Sequence, residues 1–291
     1  MLEILQSIGH DAAGKVGAVA ASIGICIFIE DIFPKGARLS FKDRLPGSIL
    51  SMAQAALWFL LLTPIQRVYQ WLGIDAFVII PLDSWVAPYG VLGQIAGAIA
   101  LLMVADFLHY WWHRADHAWL PLWSIHAAHH APRQLHAANN YGHPLQALTG
   151  FMFIAIPLSL FQIEGPIIPF VVISLIGLFE FLIHSPTSFH LGPVVRRVVV
   201  DNRFHRIHHS TEPRHLDKNF SIMFTLWDQM FGTAYFPAKD EWPEVGVDGL
   251  AEPSGVGELL VFPMQVMRLD HERRVNPCGP GRETRGGFER G

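Results

Sequence analysis

Long uncharged apolar stretches constrain this chain more than any other feature of its sequence. A helix needs about 17–25 apolar residues to cross a hydrocarbon core roughly 30 Å thick. Five segments approach this length: residues 12–29, 45–66, 89–105, 144–163 and 165–179. Only 16% of the residues are charged, whereas about 25% is usual for a soluble chain. The sequence therefore predicts an all-α integral membrane protein with four to five transmembrane helices.

The basic loop between the first two stretches predicts the orientation. It carries four cations, Lys35, Arg38, Lys42 and Arg44, and an excess of Lys and Arg marks cytoplasmic loops. Counting crossings from this loop, the third stretch ends on the cytoplasmic side near His109. A helical hairpin at about residues 144–183 starts and ends on that side. We therefore expect every histidine cluster to face the cytoplasm, in a bacterial inner membrane or the endoplasmic reticulum.

Histidine is the second unusual feature. Of 16 histidines, eight lie between His109 and His143. His109 and His113 are four residues apart, and the segments "HAAHH" (126–130) and "HRIHH" (205–209) both have H-x-x-H-H spacing. Residues three or four apart share a helix face, so each set can bind a metal ion. Adjacent histidines diverge by about 100° on a helix, which lets one neighbour face a second ion.

The ligands alone leave the metal open, because imidazole binds Zn, Cu, Fe and Ni. Eight clustered imidazoles exceed the four ligands of a structural zinc, and the hydrolytic motif H-E-x-x-H is absent. In a lipid-embedded enzyme, two ions with vacant positions suit O2 activation at a di-iron centre. Six of the other histidines are interpreted as packing or capping residues: His10, His117, His136, His190, His215 and His271.

Two other classes of protein stay open. A haem-binding electron-transfer protein needs only paired axial histidines, and has no use for consecutive histidines at two places. A metal transporter places its ionisable groups at mid-membrane, whereas these histidines gather at one end of the spans. A net charge of −4 without a basic run excludes nucleic-acid binding.

The stretches "HYWWHRADHAWLPLWSIHAAHH" and "HRIHHSTEPRHLDKNFSIMFTLWDQMFGT" resemble the membrane-bound fatty acid hydroxylase/sterol desaturase superfamily, over about residues 106–235. The resemblance implies a transmembrane stalk under a cytosolic helical cap that holds a histidine-rich di-metal site. It implies two iron ions, for which zinc can substitute. It also implies O2 as co-substrate for hydroxylation or desaturation of a fatty acyl, sterol or related apolar lipid.

By position, the resemblance assigns the box histidines as ligands: His109, His113, His126, His129, His130, His205, His208 and His209. The segments "GHP" and "FEFLIHS" add His143 and His184. Glu180 lies four residues before His184 on the same helix face, so it is a further candidate ligand. Four carboxylates near the boxes are candidates for orienting histidine ligands: Asp106, Asp116, Asp201 and Asp228.

We expect three regions. Residues 1–105 form N-terminal transmembrane helices, residues 106–240 form the histidine-box catalytic region, and residues 241–291 form a cytosolic segment that is disordered from about residue 270. No nicotinamide or flavin fingerprint is present, so electrons must come from a separate reductase, ferredoxin or cytochrome. Four arginines near the last box offer a docking surface for that donor or face lipid headgroups instead: Arg196, Arg197, Arg203 and Arg206.

Overall fold

The computed structural model of the protein is mostly helical and describes residues 2–36, 38–71, 78–165, 167–189 and 191–275. In chain order the described helices are α1 (Leu2–Ile32), α2 (Phe41–Trp71), α3 (Leu82–Val86), α4 (Gly90–Ala118), α5 (Leu120–His130), α6 (Pro144–Gly150), α7 (Ile156–Ser159), α8 (Ile167–His184), α9 (Gly192–Val195), α10 (Asn202–His208), α11 (Leu226–Met230) and α12 (Val256–Val275). A π-helical turn at Phe151–Ala155 joins α6 to α7.

Two segments of the described chain are long and apolar enough to cross a membrane. They are Leu82–Ala118, which contains α3 and α4, and Ile167–His184, which is α8. Both expose large apolar side chains: Leu92 is 77% exposed and Ile173 is 69% exposed. Such a surface is typical of helices that face lipid, because water would solvate it poorly.

The first arm of the expected hairpin is shorter than the sequence predicts. Its apolar helix covers Pro144–Leu158, and the chain then forms strand β2 (Phe161–Ile163), which pairs in parallel with β1 (Val78–Ile80). The ladder satisfies backbone groups outside the helix, for example the amide of Glu164, which donates to the carbonyl of Ile80 at 3.0 Å. The connection to α8 is therefore not a tight helical turn, and the described fold is not purely α.

Two apolar clusters fix the helices around the histidine boxes. In one cluster, Leu102 of α4 and Ile183 of α8 pack with Phe204 of α10, which joins the apolar helices to the segment that carries the last box. In the other, Ala127 of α5 packs against Phe262 of α12. Helix α12 continues to Val275, so residues 270–275 are helical where the sequence predicts disorder. Residues 276–291 of the predicted tail lie outside the described residues.

A buried ion pair connects the start of the chain to the segment after α5. Arg44 of α2 lies 3.0 Å from Glu30 and 3.0 Å from Asp31. Glu30 also accepts a hydrogen bond of 2.7 Å from the amide of Ala137. Removing one partner of a buried pair leaves an uncompensated charge, so this contact holds α1, α2 and the 136–139 turn together.

Candidate metal centre

Nine histidines converge into two adjacent groups beside the ends of α4 and α8. The His113 group contains His113, His117, His126, His130 and His208, and the His129 group contains His129, His184, His205 and His209. Within each group the ligating nitrogens lie within 4.8 Å of one another. The rings of His130 and His209 stack at a centroid distance of 4.3 Å, so the groups share a boundary. Adjacent box histidines divide between the groups, as a rotation of about 100° per residue predicts.

The first histidine box differs from its prediction. Helix α4 carries His109, His113 and His117 four residues apart on one face. The structure places His113 and His117 in the His113 group, whereas His109 lies one turn away, with its ring 5.3 Å from that of Trp112. Sequence spacing cannot choose between two overlapping i,i+4 pairs. The position along α4 at which α5 and α10 contact it brings His117, and not His109, into the His113 group.

His143 lies outside both groups. Its Nδ1 accepts a hydrogen bond of 3.1 Å from the amide of Leu145, which caps α6, and its Nε2 donates to the carbonyl of Leu260 at 3.3 Å. Both ring nitrogens are therefore engaged, and neither offers a lone pair to a metal.

Glu180 and His184 have different positions relative to the groups. His184 is a member of the His129 group. The carboxylate of Glu180 belongs to neither group, and its backbone carbonyl accepts a hydrogen bond of 2.6 Å from Nδ1 of His184. In this arrangement Glu180 orients His184 through its main chain rather than through its side chain.

Backbone carbonyls fix the protonation of four site histidines. Nδ1 of His113, His129, His184 and His208 lies 2.7, 3.1, 2.6 and 2.9 Å from the carbonyls of Phe220, Tyr141, Glu180 and Lys218, in that order. A carbonyl oxygen can only accept, so Nδ1 donates in each case. Each Nε2 then carries the lone pair, which is the form of imidazole that binds metals.

These lone pairs face one another. Nε2 of His129 and Nε2 of His184 are 3.2 Å apart, and neither can donate to the other because each proton is held at Nδ1. Two lone pairs at this distance repel unless a cation lies between them. Nitrogen ligands about 2.0–2.1 Å from a metal are about 3.0–3.4 Å from each other. The other Nε2 pairs have similar separations: His113–His126 3.0 Å, His126–His130 3.1 Å, His117–His130 3.2 Å, His184–His205 3.0 Å and His205–His209 3.1 Å.

The centre is buried, and burial keeps its imidazoles neutral. Burial lowers the pKa of His129 to about 4. Burial, reinforced by neighbouring histidines, also holds the pKa well below its usual range for five others, His126, His130, His205, His208 and His209. Neutral ligands do not have to lose a proton before a metal binds.

Three of the four candidate carboxylates act on the backbone rather than on a histidine. Asp201 caps α10 by accepting from the amide of Phe204 at 2.9 Å. Asp106 accepts from three consecutive amides, those of residues 222–224, and Asp228 accepts from the amide of Phe220 at 2.8 Å. Asp106 and Asp228 thus shape the loop whose Phe220 carbonyl orients His113.

Two polar side chains approach His126 directly. The carboxylate of Asp116 lies 3.6 Å from its Nδ1, as its place near the boxes suggests. The side-chain amide of Gln146 lies 2.6 Å from the same nitrogen, a contact that no motif indicates because Gln146 belongs to α6. A proton at Nδ1 of His126 requires an acceptor there, which the amide oxygen supplies when the side chain is flipped.

The four arginines near the last box make contacts within the chain. Arg196 is buried and lies 2.6 Å from Asp201. Arg206 donates to the carbonyl of Pro243 at 2.8 Å and lies over the ring of Trp242. The other two have similar roles, since Arg197 lies over the ring of Phe236 and Arg203 donates to the carbonyl of Ala238. The contacts of Arg203 and Arg206 hold residues 238–243 against α10.

The comparisons with known proteins agree with this geometry. The sequence model of the fatty acid hydroxylase family matches residues 98–233, which include every histidine of the two groups. The central part of the chain is thus similar to the fatty acid hydroxylase family. No solved structure gives a significant match.

Several curated members of the superfamily are similar to this chain. Alkylglycerol monooxygenase of Danio rerio is 29% identical over 188 residues, which are 63% of this chain and 37% of that protein. The Homo sapiens protein of that name is 31% identical over 47% of this chain and 29% of its own length. Ornithine lipid hydroxylase OlsE of Rhizobium tropici is 30% identical over 54% of this chain and 47% of its own length. The matches thus span less than half of each relative.

Proposed function

We propose that this protein is a membrane-bound non-haem di-iron oxidoreductase that uses O2 to hydroxylate a lipid. The observation that carries the proposal is the facing pair of His129 and His184, whose lone-pair nitrogens are 3.2 Å apart. Relatives named monooxygenase and hydroxylase favour hydroxylation over desaturation. Two iron ions, when bound, supply the redox chemistry that activates O2.

The residues of the chain have three roles in this proposal. The two histidine groups hold one metal ion each through neutral nitrogens. The backbone carbonyls that accept from Nδ1 keep the ligand nitrogens aimed inward, which is what carboxylate or carbonyl partners of metal-bound histidines do generally. Apolar neighbours such as Phe220, whose ring lies 5.7 Å from that of His113, exclude water from an oxidising centre.

The proposed setting is a membrane with the histidine groups at its cytoplasmic face. Both apolar segments, Leu82–Ala118 and Ile167–His184, have site histidines at their C-terminal ends, so the two ends lie on the same side. We propose four to five membrane helices in all, with α5, α10 and α12 in the cytosolic cap. Electrons would come from an external reductase, ferredoxin or cytochrome.

The two alternative classes predict other arrangements. A haem protein needs one axial histidine on each side of a macrocycle, whereas here four and five ligand nitrogens lie within 4.8 Å of one another. A transporter site lies at mid-membrane, whereas these histidines lie at helix ends and in the following segments. Both classes therefore explain fewer of the nine positions.

The test combines metal analysis with lipid oxidation. Protein reconstituted anaerobically with ferrous iron is expected to contain about two iron ions per chain, since there are two ligand groups. It is then incubated with O2, a reductase system and a lipid extract, and the products are analysed by mass spectrometry. A gain of one oxygen in a lipid class supports the proposal. Bound iron with every lipid class unchanged would refute it.

A further inference from the structure

A cleft of about 440 Å³ with both polar and apolar lining residues opens beside the histidine groups, and its volume is within the range of about 300–1,000 Å³ usual for ligand sites. Three separate segments form it: the start of α2, the turn at residues 136–141 and the residues that lead into α12. Its polar or charged lining residues are Asp43, His136, Asn139, Tyr141, Glu252 and Ser254.

His136 provides an unused polar group in this cleft. Its side chain is 6% exposed, and within the described residues its Nδ1 has no hydrogen-bond partner. A buried nitrogen without a partner costs free energy. A ligand that donates a hydrogen bond would satisfy it.

The charged residues that line the cleft determine whether it favours a cationic or an anionic ligand. Asp43 and Glu252 both line it, and none of its thirteen lining residues, all in the described part of the chain, is Lys or Arg. The hydroxyl of Tyr141 donates to Glu252 at 3.1 Å and holds that carboxylate in place. Lys42 and Arg44 flank Asp43 in α2, but neither lines the cleft, and Arg44 is paired with Glu30 and Asp31. A cation is therefore favoured in the cleft and an anion is disfavoured.

The rim of the cleft places it at a lipid surface. Ile49 on the α2 side is 51% exposed, and Val256 on the α12 side is 58% exposed. One turn beyond Val256, Leu260 is 52% exposed, and Met264 after it is 62% exposed. Exposed apolar side chains at four-residue spacing form a stripe along a helix, and such a stripe suits the boundary between headgroups and acyl chains.

Tyr141 connects the cleft to the metal centre. Its side chain contacts Glu252 in the cleft, while its backbone carbonyl accepts from Nδ1 of His129 at 3.1 Å. The cleft and the His129 group are thus separated by little more than one residue. A lipid whose headgroup lies in the cleft has its chain beside the groups.

We propose that this cleft binds the polar headgroup of the lipid substrate, and that the headgroup carries an ammonium group. The proposal rests on the proposed function, since it assigns a substrate class to the same site. The ammonium lies between Asp43 and Glu252 and donates to His136, and the alkyl chain extends along the apolar rim.

The experiment measures binding without catalysis. Zinc-loaded protein in phosphatidylcholine nanodiscs is titrated calorimetrically with an alkylammonium, an alkylglycerol and an alkyl phosphate of one chain length, with empty nanodiscs as the blank. We expect the alkylammonium to bind about tenfold more tightly than the alkyl phosphate. The double variant Asp43→Asn, Glu252→Gln is expected to abolish that preference. Both substitutions keep side-chain size and hydrogen-bond acceptors.

The matched control is Asp248→Asn, which removes an exposed carboxylate that does not line the cleft. It is expected to leave the preference unchanged. Equal affinities for the three probes, or an equal loss in the control, would overturn the proposal. Because the assay needs neither iron nor O2, a failure of lipid oxidation does not affect it, and a failed preference leaves the proposed oxidation intact.

Discussion

The described residues contain three clusters of side chains close enough to share a metal, and one of them, the cluster of Glu212, His215 and Glu241, differs from the His129 group in one respect. In the His129 group, Nε2 of His129 and Nε2 of His184 face each other and both carry lone pairs, because each proton is held at Nδ1. In the cluster of Glu212, His215 and Glu241, each side chain has a hydrogen-bond or ion-pair partner within the chain. His215 places Nδ1 2.9 Å from the hydroxyl of Ser210 and Nε2 3.1 Å from Glu241.

Cationic and hydrogen-bond-donating side chains of the chain itself already bind the carboxylates of this second cluster. Arg214 lies 2.7 Å from Glu212 and 2.8 Å from Glu241, and the hydroxyl of Tyr235 donates to Glu241 at 3.0 Å. Proximity of metal-binding residues is therefore insufficient. What distinguishes a metal site is a set of lone pairs that the folded chain leaves without protons.

The largest effect is expected where two lone pairs face each other. His184→Ala removes one of them and opens the His129 group. We expect the loss of about one metal ion per chain and a fall in lipid oxidation of more than about 100-fold, since even changes to the partners of metal ligands cost 10–100-fold. Metal analysis and turnover measure both. Full metal content in this variant would contradict the assigned group.

The pair His117→Ala and His109→Ala tests which histidines of α4 bind metal. Loss of His117 removes a member of the His113 group, so we expect weaker metal binding at one site and about 100-fold lower activity. Loss of His109 is expected to retain two metal ions. Metal content after dialysis against a chelator separates the variants, and the opposite result would restore the box predicted from the sequence.

Asp228→Asn tests whether Asp228 supports His113 indirectly, through the loop that contains Phe220. Asp228 accepts from the amides of Phe220 and Ser221, and an amide side chain accepts less well from two donors. The Phe220 carbonyl is then positioned less firmly for His113, so we expect metal affinity to fall by about tenfold. Competition with a chelator measures this. Asp240→Asn, at an exposed position, is the control and is expected to have no effect.

A pH effect is expected from His136, which lies outside both histidine groups. Burial lowers its pKa to about 4, and Arg44 adds to the effect. Unfolded histidine titrates near 6.5, so between pH about 6.5 and about 4 the unfolded chain binds a proton that the folded chain does not. Metal-free protein is then expected to lose stability as the pH falls through this window, by at most about 3 kcal/mol from this residue.

His136→Gln is expected to reduce that loss. Thermal unfolding of both metal-free proteins at several pH values measures the difference. Parallel melting curves for the two proteins across the window would show that His136 is protonated in the folded state.

The smallest effect is expected in the cluster of Glu212, His215 and Glu241. His215→Gln retains hydrogen-bonding groups beside Glu241 and Ser210, so we expect two metal ions per chain, unchanged activity and a loss of stability of about 1 kcal/mol. Metal analysis and thermal unfolding measure these. A metal ion lost from this variant would show that the cluster is a third site.

Local patterns predicted much of the fold and site. The apolar stretches indicated helices, and the two segments of the described chain that can cross a membrane lie where two of these stretches were predicted. The box spacing indicated which histidines share a face. The hairpin was predicted less well, because β2 pairs with β1, a strand far away in the sequence.

What the sequence by itself determined is the angular arrangement of the ligands. Steps of about 100° per residue send adjacent histidines such as His208 and His209 to different groups, whatever surrounds the helix. The tertiary structure decided at which helical turn each candidate ligand is used and which residues surround it. His117 rather than His109 lies with the other histidines because of where α5 and α10 meet α4, and the carbonyl that accepts from His113 belongs to Phe220, which is 107 residues away in the sequence. A repeating pattern along one helix specifies direction, but it contains no information about which turn a partner will contact.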